Sequence, residues 1–193
     1  MRSMAAHLRI ECGPCILRPW RRGDEEALVR HANNREVWRH LRDRFPHPYT
    51  PEDAAWWVGH TASEPSPTNF AIEVASEAVG SMGLILGTDI ERYSAEVGYW
   101  LGQSLWGRGI TAAALEGFCA WAFECFDLIR LFALPFADNA ASCRVLEKAG
   151  FQREGLMRQS AVKDGKVHDQ ALYARLRLVG LRDSDLTGGA ASR

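Results

Sequence analysis

The feature that most constrains this chain is an apolar strand that runs into a glycine turn and then into a long apolar helix. Val97-Gly98-Tyr99-Trp100-Leu101 leads to Trp106-Gly107-Arg108-Gly109, and the run that begins at Ile110-Thr111 extends to Cys125. Glycines allow a positive φ and let a ligand approach the backbone closely. Free amides at a helix start lie at the positive end of the helix dipole, and Arg108 adds a full charge. The segment therefore predicts an anion site suited to a phosphate or pyrophosphate.

Two other nucleotide-binding motifs do not fit this turn. A P-loop requires a Gly-Lys-Ser/Thr ending, which is absent. The dinucleotide fingerprint requires a third glycine three positions after the second, and position 112 holds alanine.

The rest of the chain predicts a mixed α/β (α+β) fold in one domain. We expect a mostly antiparallel sheet of about seven strands flanked by helices, because short turns join successive apolar runs. Asp24 and Thr50 are expected to cap helices, and Gly150 to end one. The expected strands are 16–20, 70–74, 78–87, 95–101, 128–134, 151–159 and 167–176, and the expected helices are 24–32, 35–42, one from Thr50, 109–125 and 140–149. The domain is expected over residues 8–181, with a disordered tail at 182–193.

Composition narrows the class of protein. The net charge of −1 gives no basic excess for nucleic acid. No apolar run reaches the roughly 18 residues of a membrane span, and the N-terminus lacks the apolar core of a signal peptide. We expect a cytoplasmic protein, monomeric or homodimeric, that binds neither nucleic acid nor membrane.

The five cysteines indicate a reducing compartment and no disulfide framework. Cys12-Gly13-Pro14-Cys15 matches the redox turn of thioredoxins, but Pro19 lies inside the helix which that turn requires. The segment is therefore expected to be an ordinary strand, and no metal site is expected because Cys119, Cys125 and Cys143 offer no second close pair.

Three blocks in order carry a family resemblance. They are Ala95 to Leu101 with Trp106-Gly107-Arg108-Gly109, Asn139 to Phe151, and Glu154-Gly155 followed by Asp164 to Asp169. With Leu17-Arg18-Pro19 at the front, the chain resembles the GNAT superfamily of acyl-CoA-dependent N-acyltransferases, and within it the RimJ/RimL branch. One position departs from the superfamily pattern, because Ser104 stands where Gln or Arg is usual.

The resemblance implies acetyl-CoA as the co-substrate, an amine as the acceptor, and a splay between two central strands. It implies that the pantetheine arm pairs with the backbone of Tyr99, Trp100 and Leu101, and that Asn139 bonds the same arm. A helix N-cap is the plainer role for Asn139. The other implied cofactor-binding residues are Trp106, Gly107, Arg108, Gly109, Ile110, Thr111, Ser142 and Lys148.

The amine must be neutral to attack the thioester, but an α-amino group of pKa about 8 is largely protonated at pH 7. A general base therefore assists the reaction. Glu96 is the candidate general base, and it faces the cleft if Val97 faces the core. The other interpretations are a solvated carboxylate at the strand end and a carboxylate that binds the substrate amine. Many relatives carry a tyrosine as acid where this chain has Leu146, so Ser142 is the candidate that contacts the thiol. The oxyanion is expected to fall to backbone amides near Trp100.

Several residues keep two interpretations. Cys143 is either an acyl-carrying nucleophile or a small packed residue, and packing is favoured. His168 and Asp169 are either catalytic or a turn contact, and the contact is favoured. Trp38, Trp56 and Trp57 either line the acceptor site or pack.

For the whole chain, the leading hypothesis is an N-acetyltransferase acting on a peptide N-terminus or a small amine, and the alternatives are a catalytically silent CoA-binding module and a thioredoxin-like oxidoreductase.

Overall fold

The computed structural model describes residues 8–64 and 67–177. Within this part, eight strands form one sheet in the order β1-β2-β3-β4-β5-β6-β8-β7. The strands are β1 Ile10–Glu11, β2 Ile16–Pro19, β3 Asn69–Val74, β4 Glu77–Leu86, β5 Ser94–Leu101, β6 Arg130–Ala133, β7 Gln152–Lys163 and β8 Lys166–Leu176. The helices are α1 Glu25–Ala32, α2 Arg35–Trp38, α3 Pro51–Ala62, α4 Ile110–Cys125 and α5 Ala140–Lys148. All strand pairs are antiparallel except β5 with β6, so the expected fold class is confirmed. The predicted tail at 182–193 lies outside the described residues.

The sheet has one strand more than the roughly seven expected. The addition is β1, which pairs with β2 through Ile10 and Glu11. A two-residue strand is too short to give a periodic signal in the sequence.

The larger apolar core lies between the sheet and helix α4. Phe118 is fully buried and meets Phe70 of β3 edge-on, with ring centroids 5.7 Å apart. Leu115 and Leu131 are fully buried in the same cluster. Because burying such a side chain stabilises the fold by about 1.5–3 kcal/mol, this face fixes β3 to β6 against α4.

A smaller core lies under helices α1 and α3. Trp20, Leu28, Tyr49 and Val58 are buried there, and Trp100 of β5 packs against them. Helix α3 begins as predicted, because the Thr50 hydroxyl accepts from the Asp53 amide at 3.2 Å while the Asp53 carboxylate accepts from the Thr50 amide at 2.8 Å.

The expected cap of helix α1 by the Asp24 side chain is wrong. Asp24 is the N-cap residue by position, but its carboxylate makes no capping bond to the helix. Both of its oxygens accept from the Arg18 guanidinium, at 2.7 and 2.8 Å, and Arg18 also donates to Glu73 of β3 at 2.5 Å. A buried guanidinium needs paired carboxylates. Because both Asp24 oxygens accept from Arg18, they do not accept from the first amides of the helix.

Helix α2 ends at Trp38, four residues before the expected end at Arg42. The Asn34 side chain caps its start by accepting from the Glu36 amide at 2.8 Å. The following residues run as turns, and the side chains of Arg42 and Asp43 bond to Glu96 of β5 and Lys163 of β7.

The end of α5 and the turn between β7 and β8 lie where the sequence predicts them, but β7 runs to Lys163, four residues beyond the predicted end at Gln159. Gly150 ends helix α5 with a φ of +80°. Asp164 and Gly165 form the tight turn between β7 and β8 with φ values of +51° and +72°, which is the two-residue hairpin geometry that favours glycine.

Candidate active site

Strands β5 and β6 separate after three paired positions. Their parallel register runs only from Ser94 opposite Arg130 to Glu96 opposite Phe132, while β5 continues to Leu101 along β4. Beyond Glu96, the edge of β5 that faces β6 has no strand partner there, and unpaired backbone groups need a bonding partner. The predicted splay is therefore present, and it forms a slot that an extended ligand can enter as an added strand does.

The glycine turn lies at the end of this slot. Gly107 and Gly109 have φ values of +77° and +76°, and a Cβ added to either would meet nothing within 4 Å. Gly109 is the N-cap of helix α4, whose ladder begins with the Ala113 amide bonded to the Gly109 carbonyl at 3.1 Å. The amides of Ile110 and Thr111 precede this first ladder bond. The turn thus presents helix-start amides with open space above them, which is the geometry of an anion site.

Trp106 and Arg108 close the turn onto itself. The Trp106 indole N–H donates to the Leu101 carbonyl at 2.7 Å, and the Arg108 guanidinium donates to the Ser104 carbonyl at 2.9 Å. Trp106 therefore ties the turn to the end of β5. Arg108 remains exposed, so its charge is available to an anion at the turn.

Helix α5 places its first turn beside β5. The Asn139 side chain caps it by accepting from the Ser142 amide at 3.1 Å. The hydroxyl oxygens of Ser142 and Tyr99 lie 2.9 Å apart, and burial raises the pKa of Tyr99. Lys148, the last residue of α5, is exposed. The Tyr99 contact was not anticipated, although the alternation with buried Val97 places Tyr99 on the α5 side of the strand.

The position where many relatives have a tyrosine is filled by core. Leu146 is fully buried in the larger apolar cluster, so its position offers no proton to a ligand. Cys143 is partly buried and packs against the same cluster, in keeping with the packing interpretation.

Glu96 lies on the opposite face of β5 from helix α4. Ala95, Val97 and Leu101 are buried in the larger core. Glu96, Gly98 and Trp100 alternate with them and therefore point toward the α1–α3 side. The Glu96 side chain is 18% exposed and forms an ion pair with Arg42. Beside it, Gly98 is exposed, and a Cβ on it would meet nothing within 4 Å.

The segment 35–47, called the strap below, approaches this face of the sheet and is bound to the β7–β8 hairpin. Arg35 pairs with Asp164, and the Asp43 carboxylate accepts from the Lys163 ammonium at 2.8 Å. Lys163 is only 3% exposed, and its nitrogen lies 3.7 Å from the centroid of the Trp38 ring. Trp38 is thus placed on the Glu96 side of the sheet as part of the strap.

The other two helical tryptophans lie elsewhere on this side. Trp57 packs against the smaller core. Trp56 is 64% exposed and stacks on His60, one turn further along α3, with centroids 5.0 Å apart.

His168 and Asp169 make local contacts. The His168 ring stacks on Phe136 with centroids 4.7 Å apart, and its Nδ1 lies 3.6 Å from the Asp138 carboxylate. The Asp169 carboxylate accepts from the Gln159 amide at 2.7 Å, which is a bond within the β7–β8 hairpin.

Cys12 and Cys15 close the turn between β1 and β2, where the Cys12 amide donates to the Cys15 carbonyl at 2.9 Å. Strand β2 follows, so the turn does not begin a thioredoxin-type helix. The neighbouring Cys15 thiol lowers the pKa of Cys12. The hydrogen bond to Cys12, together with burial, raises the pKa of Cys15.

Within residues 8–64 and 67–177, no group of three or more His, Cys, Asp or Glu side chains is placed to hold a metal ion. No helix in the same residues is long and apolar enough to cross a membrane.

Comparison with known proteins identifies the same fold and family. A family profile described as an acetyltransferase (GNAT) domain matches residues 15–152. An uncharacterized N-acetyltransferase p20 of Bacillus licheniformis is 26% identical over 157 residues, which cover 80% of this chain and 88% of that protein. The ribosomal-protein-serine acetyltransferase of Escherichia coli is 34% identical over 83 residues, 43% of this chain and 46% of the relative. The structure of Mycobacterium smegmatis RimJ in complex with CoA-disulfide superposes with a TM-score of 0.75 at 26% identity and covers 93% of this chain and 87% of that one.

Proposed function

Because the chain belongs to the GNAT acetyltransferase family and to its RimJ/RimL-like branch, we propose that it transfers the acetyl group of acetyl-CoA to a primary amine. The acceptor is the α-amino group of a protein or peptide N-terminus, or a small amine. The observation that carries the proposal is the position of Glu96 at the last paired residue before β5 and β6 separate. A carboxylate on one face and a ligand slot beginning at the same residue bring an amine and a thioester together.

The pyrophosphate and the pantetheine arm of acetyl-CoA each have a counterpart in the slot. Gly107, Arg108 and Gly109, with the amides of Ile110 and Thr111, bind the pyrophosphate. The pantetheine arm runs along the backbone of Tyr99, Trp100 and Leu101, and Asn139 bonds it from helix α5. The Leu101 carbonyl is already bonded to Trp106, and Trp100 is paired with Ser81 of β4, so the arm pairs with the backbone groups of Tyr99 and the Leu101 amide. Lys148 adds a positive charge at the end of α5.

Glu96 takes a proton from the acceptor ammonium, and the neutral amine attacks the thioester carbon. General-base assistance of this kind contributes about 10²- to 10⁴-fold in rate. The oxyanion is stabilised by backbone amides near Trp100. A new C–N bond replaces the C–S bond, and coenzyme A departs as the thiolate, which takes up a proton.

Ser142 orients the departing sulfur. Its hydroxyl lies 2.9 Å from that of Tyr99. If Tyr99 donates in this pair, the Ser142 proton is free to point at the thiol. A serine hydroxyl is a weak acid, so its role is to position the thiol.

The proposal is tested by thiol release from acetyl-CoA across N-terminal peptides, polyamines, aminoglycosides and amino acids. We expect at least one amine to raise release well above hydrolysis, with the acetylated amine found by mass spectrometry. Tight CoA binding without turnover on any amine would instead support the catalytically silent module. This alternative is worth testing because Leu146 stands where many relatives have a tyrosine acid.

A further inference from the structure

Glu96, the proposed base, is already engaged by a cation of the chain itself. The Arg42 guanidinium pairs with the Glu96 carboxylate, and the two side chains are 53% and 18% exposed. A protonated acceptor amine must approach the same carboxylate, so it competes with Arg42 for it. Any acceptor that binds at Glu96 therefore leaves the Arg42 charge in need of a new anion.

The strap around Arg42 is held independently of this contact. Asp43 is bonded to Lys163 and Arg35 to Asp164, so both ends of the strap are bound to the β7–β8 hairpin. Within the described residues, Glu96 is the ion-pair partner of Arg42. The Arg42 side chain can thus swing away from Glu96 while the strap backbone stays in place.

Open space adjoins the ion pair. Gly98 lies between Glu96 and Trp100 on this face, and a Cβ on Gly98 would meet nothing within 4 Å. The Phe45 ring meets Trp100 at a centroid distance of 5.6 Å, and the Phe45 amide is bonded to the Arg42 carbonyl at 3.0 Å. The turn 42–45 therefore follows β5 from residue 96 to residue 100, a span of about 13 Å. The gap between this turn and β5, called the recess below, has the Arg42–Glu96 ion pair at one end and the rings of Phe45 and Trp100 at the other.

We propose that the acceptor is a small zwitterion, an α-amino acid whose ammonium binds Glu96 while its carboxylate binds Arg42. The inference rests on the proposed acetyl transfer and narrows its substrate. In an α-amino acid the ammonium nitrogen and the carboxylate carbon are both bonded to the α-carbon, and this short spacing matches a carboxylate and a guanidinium that are in contact. One ion pair within the protein is exchanged for two with the ligand. A peptide N-terminus has an amide in place of the α-carboxylate and leaves Arg42 unpaired in the recess.

The step balances without a further reactant. The ammonium loses one proton to Glu96, and its nitrogen forms a bond to the acetyl carbon as the C–S bond breaks. The second proton leaves the nitrogen and ends on the thiolate, and Glu96 returns its proton to solvent. The product is an anionic N-acetyl amino acid, which no longer has a cation for Glu96. Arg42 can therefore return to Glu96, and the product is released.

The test compares each of the twenty L-amino acids with its α-amide, which has the same side chain and amine but lacks the carboxylate. For the preferred side chain, we expect kcat/KM to be about 10- to 100-fold higher for the acid than for the amide, the usual effect of a charge-assisted bond. In Arg42→Gln the ratio should fall to about one, because the acid loses its bond to the guanidinium while the amide no longer competes with Arg42 for Glu96.

The matched control is Arg44→Gln, since Arg44 is an exposed arginine of the same turn. It should keep the wild-type ratio. The amide rate reports folding, because a misfolded Arg42→Gln protein would lose activity on both substrates.

Three outcomes would overturn the inference: a wild-type ratio near one, a peptide N-terminus that outperforms every amino acid, or equal loss on acid and amide in folded Arg42→Gln. Absence of acetyl transfer to any amine would instead overturn the proposed function, so the two failures are distinguishable.

Discussion

The two faces of the sheet are held in different ways. On the α4 side, Phe118, Leu115 and Leu131 form a continuous apolar core, and the glycine turn is continuous with it through helix α4. On the α1–α3 side, the smaller core is joined by a strap that packs through Phe45 and is bound by three ion pairs to β5 and to the β7–β8 hairpin. In the proposed reaction, the first face and its slot hold the donor, which every reaction cycle shares, and the second face receives the acceptor, which must enter and leave.

The difference is also one of chain distance. The glycine turn and helix α4 are neighbours in sequence. The strap is bound by pairs such as Arg35 with Asp164, which are 129 positions apart, and Lys163 with Asp43, which are 120 apart. Local sequence therefore determines the glycine turn, whereas only the folded sheet brings the strap to Glu96. The following variants separate the two.

The largest effect is expected from Glu96→Gln, which removes the base and leaves the donor side intact. We expect kcat/KM for the amine to fall by about 10²- to 10⁴-fold, most strongly at low pH where the amine is protonated. The dissociation constant for acetyl-CoA should stay unchanged. Steady-state kinetics from pH 6 to 9 and calorimetric titration measure the two quantities.

The control for this variant is Glu91→Gln, which alters an exposed carboxylate five residues earlier. It should match the wild type throughout. If Glu96→Gln kept the wild-type rate at every pH, Glu96 would not be the base.

Gly109→Ala should damage the donor side alone. A side chain at a φ of +76° costs about 1–2 kcal/mol, and the new methyl group lies where the pyrophosphate approaches. We expect KM for acetyl-CoA to rise roughly tenfold, with KM for the amine unchanged.

Gly13→Ala introduces the same strain, at a φ of +75°, in the turn between β1 and β2. This variant should lower the free energy of unfolding without changing KM for acetyl-CoA. Equal effects of the two alanines on acetyl-CoA would argue against a pyrophosphate at Gly109.

Two helix caps offer a smaller comparison, because Asn139 caps α5 beside the slot and Thr50 caps α3 on the other face. Replacing either by alanine should lower the free energy of unfolding by about 1 kcal/mol. Asn139→Ala alone should also weaken acetyl-CoA binding. Denaturant unfolding with and without acetyl-CoA distinguishes them, and equal stabilisation of both variants by the ligand would count against a cofactor contact at Asn139.

The smallest effect is expected from the ion pair of Arg130 with Glu154, which bonds through both carboxylate oxygens at 2.9 and 2.5 Å. The Arg130 guanidinium lowers the pKa of Glu154 below the ordinary 4.5. A lowered folded-state pKa adds stability above the ordinary value, and this is lost as the pH falls through the folded-state value. The pair is partly exposed, so Glu154→Gln should cost only about 0.2–1 kcal/mol at pH 7.

Thermal unfolding of Glu154→Gln and wild type at pH 7 and below pH 4 checks this prediction. The difference should narrow at the lower pH. A difference that grew with acid would show that the pair does not stabilise the fold.

The sequence predicted the elements whose signals are local. Strand β5, the turn at Gly107 and Gly109, helix α5 and the N-cap at Thr50 follow from alternation, glycine spacing and N-cap residue types. The family resemblance added the splay, which no local pattern contains. The assigned roles of Glu96, Ser142 and Asn139 remain predictions.

What the sequence missed depends on distant partners. Asp24 is a residue type that often caps helices, but its carboxylate binds Arg18 of β2, which also binds Glu73 of β3. Helix α2 ends early, and Arg42 beyond it bonds to β5. No spacing rule connects Arg42 with Glu96, 54 positions away, so the charge that faces the acceptor becomes visible only in the folded chain.

The division of the two faces is tested most directly by amide hydrogen exchange with and without coenzyme A. We predict slower exchange at residues 107–111 and at the start of helix α5, with the strap at residues 35–47 exchanging as in the free protein. Protection of the strap by coenzyme A, with no change at residues 107–111, would contradict the account.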